Sequence, residues 1–162
     1  MADPYTYIKR KAEDAFAGLI QRRAEDDLDS IQITKGQSFN TLESSRVEVV
    51  CSRAMPQVVG DDELIGGEVT GNWFCEIQVA VMTHFDGDDG DYSRSTHGKR
   101  CGYVGDVFMA EDVVDQLNAI DAVSAFEAFA WRPGMSEDDV DEMGARTIFE
   151  GNLYCAPSAV ED

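Results

Sequence analysis

Basic residues are scarce in this chain. Thirteen lysines and arginines stand against 32 aspartates and glutamates in 162 residues, a net charge of −19. A field of that sign repels nucleic-acid phosphates and argues against groove binding. Histidine occurs only at His84 and His97, and the four cysteines (Cys51, Cys75, Cys101, Cys155) form no CxxC pair. That leaves His84, His97 and Cys101 as the most that a zinc site could assemble, short of a convincing ligand set. No GxSxG or HExxH motif occurs, and no glycine-rich phosphate loop follows a strand. The chain therefore offers no catalytic constellation, no cofactor motif and no metal site, and its expected role is non-enzymatic. No apolar run approaches the roughly 20 residues that span a bilayer. Met1–Arg10 lacks a signal-peptide core, so the expected compartment is a cytoplasm or a particle assembled in one.

What is present is enough apolar residue, 43%, to build a core in one domain over residues 1–162. The charge is uneven: residues 1–100 hold 11 basic and 18 acidic side chains, residues 101–162 only 2 basic and 14 acidic. Solubility, a basic partner, or a surface past which DNA slides without sticking would each use such a field.

The clearest local signal runs from Thr70-Gly71-Asn72-Trp73 to His84. Trp73, Cys75, Ile77, Val79 and Val81 share one parity, and Asn72, Glu76, Gln78 and His84 the other. Period-two alternation of that length predicts a half-buried strand. Arg46–Ala54 alternates likewise, with Val47, Val49 and Cys51 on one face. Phe126–Arg132 predicts a strand broken by Pro133-Gly134, and Arg146–Cys155 a closing strand with Phe149, Leu153 and Cys155 inward. Ile31–Thr34 is a candidate short strand.

Tyr5–Asp27 places Ile8, Ala12, Ala15, Phe16, Leu19 and Ile20 on one helical face. Tyr92–Phe108 predicts a second helix with a His97, Cys101, Val104, Phe108 stripe, and Glu111–Ile120 a third. Gly98, Gly102 and Gly105 beside that stripe suggest close helix-on-sheet packing. The expected order is α-β-β-α-α-β-β: an α+β domain with a mostly antiparallel four- to five-stranded sheet and helices on one face. Residues 156–162 read as a frayed tail.

Two acidic segments and one long connection remain. Asp86-Gly-Asp-Asp-Gly-Asp91 (acids Asp86, Asp88, Asp89 and Asp91) lacks EF-hand order, because Gly90 takes position five and His97 position twelve. It reads as a solvated turn entering a helix. Met135–Ala145 reads as an acidic loop carrying Glu137, Asp138, Asp139, Asp141 and Glu142, beside a hot-spot-like Trp131-Arg132 pair. Met55–Gly71, with Pro56, Asp61, Asp62, Leu64 and Ile65, reads as a 17-residue loop, long enough to serve as an arm to a neighbour.

An N-terminal helix, V-x-V-x-C at Val47–Cys51, T-G-N-W at Thr70–Trp73, T-H-x-D at Thr83–Asp86, a helix, and N-L-Y-C at Asn152–Cys155 follow in order. In this the chain resembles the neck and tail-completion proteins of tailed bacteriophages, most of all tail terminators, over roughly residues 5–155. The resemblance implies a virion protein with no catalytic residues, assembled in the host cytoplasm. It implies a homo-oligomeric ring, commonly of six subunits, between tail-tube protein and the head connector or stopper, with DNA passing through unbound. The two acidic segments would then face the lumen or a ring interface, and the long loop would be the inter-subunit arm. The other readings are a different neck position (stopper or adaptor), or an acidic DNA mimic that inhibits a basic host protein. The mixed charge of the first helix weakens the mimic.

Overall fold

The computed structural model describes residues 4–27, 33–36, 46–59, 68–85, 90–120, 126–140 and 144–157. The elements are α1 (Pro4–Asp27), β1 (Ile33–Lys35), β2 (Arg46–Val59), β3 (Glu68–His84), α2 (Gly90–Met109), α3 (Val113–Ile120), β4 (Phe126–Val140) and β5 (Gly144–Pro157). Among the described residues the five strands form one sheet in the order β1-β2-β3-β5-β4. Pairing is antiparallel throughout except for β1, which joins β2 in parallel. The domain is thus α+β with a mixed, mostly antiparallel sheet; the expected order omits the parallel edge strand β1, which overlaps the candidate short strand Ile31–Thr34. Gly36 ends that strand at φ 99°, a backbone conformation natural to glycine, and donates its N–H to Val49 O at 3.0 Å.

Alternation decides which face is buried. Val47, Val49, Cys51 and Ala54 of β2 stand opposite Val81, Val79, Ile77 and Cys75 of β3, and all eight are buried. Leu153 and Cys155 extend that layer onto β5. The stripe of α1 predicted from sequence is buried in full, from Ile8 to Ile20. α1 lies on β1, β2 and β3, α2 on β3 and β5, and α3 on β4. All three helices therefore cover one face.

The ladders carry four register shifts: those at Pro56/Val58 and Ala128/Ala130, and two bulges at Cys51/Arg53 and Pro133/Ser136. At Cys51/Arg53 the ladder skips Ser52, and the Cys51 N–H donates to Glu13 Oε2 of α1 at 2.9 Å. Burial pushes the Glu13 carboxyl up, offset in part by this bond. At Pro133/Ser136 the second bulge lets β4 continue where a break was expected. The Met135–Ala145 loop is likewise corrected: Ser136–Val140 is ladder opposite Phe149–Ala145. The 17-residue Met55–Gly71 loop is corrected too, since β2 runs to Val59 and β3 starts at Glu68, with Val58 opposite Val69. Only residues 60–67 lie between the strands, outside the described residues.

The expectation that three helix glycines mark close packing is also corrected. A Cβ at Gly98 or Gly102 would meet nothing within 4 Å, and one at Gly105 only Phe149 at an ordinary 3.6 Å. The close approach lies in the sheet. A Cβ at Gly151 would fall 2.2 Å from Trp131 Cη2. Trp131 packs on Phe16 (4.7 Å between centroids) and Phe108 (5.1 Å), and its indole N–H donates to Phe108 O at 2.8 Å. Trp131 is thus a core element. Gly151→Ala should expel the indole and cost about 1–3 kcal/mol by overpacking. Chemical denaturation with a loss of near-ultraviolet dichroism would register it, and an unchanged midpoint would refute the close approach.

Candidate functional site

The sheet face opposite the helices carries the exposed chemistry. Its rows run across β2, β3, β5 and β4. Arg53, Glu76, Asn152 and Arg132 form one row; Met55, Phe74, Tyr154 and Ala130, with bulged Phe129, form the next. Met55 is 38% exposed and Phe129 47%. Tyr154 sits at the centre, 5.4 Å from Phe74, 6.1 Å from Phe129, and 5.4 Å beneath the Arg132 guanidinium. Arg53 reaches Met55 Sδ at 3.1 Å and Glu76 Oε1 at 3.7 Å. A row of Met, aromatics and arginine, exposed at Met55 and Phe129 and half-buried at Phe74 and Tyr154, has the composition of an interface core.

At the far end of the same face Asp139 stands opposite Arg146 (3.4 Å between charges), and Glu137 opposite Ile148. Glu137, Asp138 and Asp139 are all exposed. Asp91 lies in the first turn of α2, and Pro56 is exposed on β2 opposite Trp73. Asp86, Asp88, Asp89, Asp141, Glu142, Asp61, Asp62, Leu64 and Ile65 fall outside the described residues. The two acidic segments are therefore represented here only by the β4 triplet and Asp91.

Sequence reading missed what that triplet does inward. Asp138 Oδ1 accepts the Thr147 hydroxyl at 2.8 Å. Thr147 Oγ1 lies 2.9 Å from His97 Nε2, and Thr83 Oγ1 2.8 Å from His97 Nδ1. Because Thr147 donates to Asp138, it must accept from Nε2–H, and Nδ1 then accepts from Thr83. The chain Thr83, His97, Thr147, Asp138 thus ties β3, α2, β5 and β4 together through a neutral imidazole that is 8% exposed. The only prior sign was two threonines at apolar parity. His84, expected to be exposed, is half-buried on the opposite parity. It does not join His97, and no three metal-ligating side chains cluster among the described residues.

Cys101 Sγ lies 3.3 Å from His97 Nε2. Burial raises the Cys101 thiol and lowers the imidazole, so the pair is neutral, the reverse of an activated thiolate. Cys51, Cys75 and Cys155 are buried together; contact with the Cys155 and Cys51 thiols, then burial, pushes Cys75 far up. Three shallow hollows on the β4 side measure about 180 to 220 Å³, below the roughly 300 Å³ at which small-molecule pockets begin.

No protein-family model matches the chain, and no curated protein matches it.

Two measurements follow from this geometry. Burial lowers the His97 pKa below its ordinary 6.5, with Asp138 opposing and Arg100 assisting. The unfolded chain then binds the extra proton first, so stability contributed by His97 is present above about pH 6.5 and lost as pH falls below it. A stability profile from pH 7.5 to 5.5 should slope downward, and His97→Gln should flatten it; equal slopes would remove the role. Separately, Cys51, Cys75 and Cys155 should resist alkylation until the protein unfolds, with Cys101 labelled first among the four. Peptide mass spectrometry showing early labelling of Cys75 would contradict the packing.

Proposed function

We propose that this chain is a structural assembly subunit that works by presenting a sheet face to other proteins. More specifically, we propose a tailed-bacteriophage neck protein, a tail terminator, forming a ring that ends the tail tube and lets DNA pass. The observation carrying the first step is the Met55–Phe74–Tyr154–Phe129 row with its two arginines, exposed at Met55 and Phe129 and half-buried at Phe74 and Tyr154, on the sheet face opposite the helices. The second step is supported by the ordered motifs from Val47–Cys51 to Asn152–Cys155 and by the net charge of −19. A hole through which DNA moves should be lined by carboxylates, which repel phosphate. Glu137, Asp138 and Asp139 are the described acids available for a lumen or ring interface.

The acidic DNA mimic is a weaker reading, because the row beside these aromatics is mixed in charge (Arg53, Glu76, Asn152, Arg132) and not a run of carboxylates. Mass by light scattering, alone and with tail-tube protein, tests the proposal, with negative-stain images of the product. Rings, or tubes capped at one end, are expected. A monomer indifferent to tube protein that captures a basic host protein would overturn it in favour of the mimic.

A further inference from the structure

We propose that the open sheet face binds a second copy of this chain, the Arg53–Arg132–Tyr154 end of one copy receiving the Glu137–Asp139 end of the next. This rests on the assembly reading above and names the contact that would build it. The only two basic residues after position 100, Arg132 and Arg146, both belong to this face. Arg146 is matched within the chain by Asp139. Arg132 is matched only by the ring of Tyr154 and pairs with no carboxylate among the described residues. Its nearest row-mate in charge, Glu76, is engaged by Arg53.

The carboxylates nearest Arg132 on this face are already engaged, Glu76 by Arg53 and Glu150 by the Gln78 amide at 2.9 Å, and the Glu137–Asp139 acids lie farther off in the same chain. Arg132 stands opposite Asn152 and Asp139 opposite Arg146, six positions along β5. At a strand rise of about 3.3 Å that is roughly 20 Å, about twice the screening length in physiological salt. One molecule cannot bring its two ends together, but two can. A chain this acidic offers its own copies an abundance of carboxylates, and this basic–aromatic corner is one described surface where such a copy meets basic groups; Lys9–Lys11 of α1 and Lys99–Arg100 of α2 are others, on the helical side.

The β4 edge does not compete for the role. β4 is an edge strand, yet the Asn118 side chain answers both outward groups of Ala128, accepting its N–H at 2.8 Å and donating to its carbonyl at 2.9 Å. Pro133 and the bulge interrupt the middle of β4, and three exposed acids occupy its end. These are the devices that stop strand-to-strand addition. The opposite edge is β1, three residues long, beyond which β2 from Val50 to Val59 has no partner strand on that side among the described residues. The sheet face is the broader of these surfaces. Twelve paired positions on three adjacent ladders span roughly 40 by 15 Å, or about 600 Å², near the about 800 Å² per partner of a standard interface. If each copy offers only one of its two unlike ends, the contact is head-to-tail, the kind that closes into a ring when its rotation permits; if the whole face is buried about a two-fold axis, both end pairs meet and the product is a closed dimer.

Sedimentation velocity across a concentration series tests this with wild type, Arg53→Glu/Arg132→Glu, Glu137→Lys/Asp139→Lys, and all four changes combined. Each double variant should weaken self-association by about tenfold or more, and the fourfold variant should restore it, because both signs are inverted. Phe129→Ser, at an exposed position, should weaken association without touching charge; circular dichroism confirms folding in each case. Rings that form unchanged in all variants would overturn the contact and leave the ring reading standing. A dimer that obeys the charge swap would support the contact and sink the ring. A wild type that never self-associates, or that binds a single-stranded oligonucleotide through Arg132, would overturn the contact outright.

Discussion

The fold depends on one place where a side chain is allowed to lie flat on backbone. Gly151 leaves β5 bare, Trp131 of β4 fills the space, and Phe16 of α1 and Phe108 of α2 close over the indole. Any Cβ at Gly151 would occupy the ring's position. Because β4 is the last strand of the sheet, this socket is what fastens it to the helical layer as well as to its ladder. The indole N–H bond to Phe108 O then orients the ring and satisfies a carbonyl in the last turn of α2. The position of Arg132, one residue on and on the other face, follows from the seating of Trp131.

A second tie runs parallel to the first. The hydrogen-bonded sequence from Thr83 through His97 and Thr147 to Asp138 holds the far half of β4. One tie is apolar and insensitive to proton concentration; the other passes through an imidazole. Between the two lies the Pro133/Ser136 bulge, where β4 changes register. The halves of β4 are therefore held by different physics, and the basic–aromatic corner sits on the half held by the apolar tie.

Much of this was legible in sequence wherever burial is one-sided. The alternation from Trp73 to Val81 and the stripe from Ile8 to Ile20 are direct images of the core, because period two and period 3.6 are enforced by which face meets solvent. Illegible were the parts set by pairing partners distant in sequence. Glu137, Asp138 and Asp139 have loop-like composition, yet Ile148, Thr147 and Arg146 hold them as ladder. Pro133 reads as a terminator, but an edge strand tolerates a proline at a bulge. Thr147 lies 50 residues from His97, and no local window can connect them. Of the candidate site, the acids at 137–139 and Arg132 were visible, whereas Trp131, read beside Arg132 as a hot-spot residue, belongs to the core. The row of Met55, Phe74, Phe129 and Tyr154 was not, because it draws one residue from each of four strands whose order only the fold supplies.

The Asn118 clamp on Ala128 has a consequence for how the chain behaves in bulk. An open strand edge lets molecules add one after another without limit, and the product is a fibre. Here that route is occupied by a side-chain amide from the protein's own third helix, which imitates the neighbour the strand lacks. Strand addition is thereby opposed at Ala128, where the clamp already holds the outward N–H and carbonyl that an incoming strand would need.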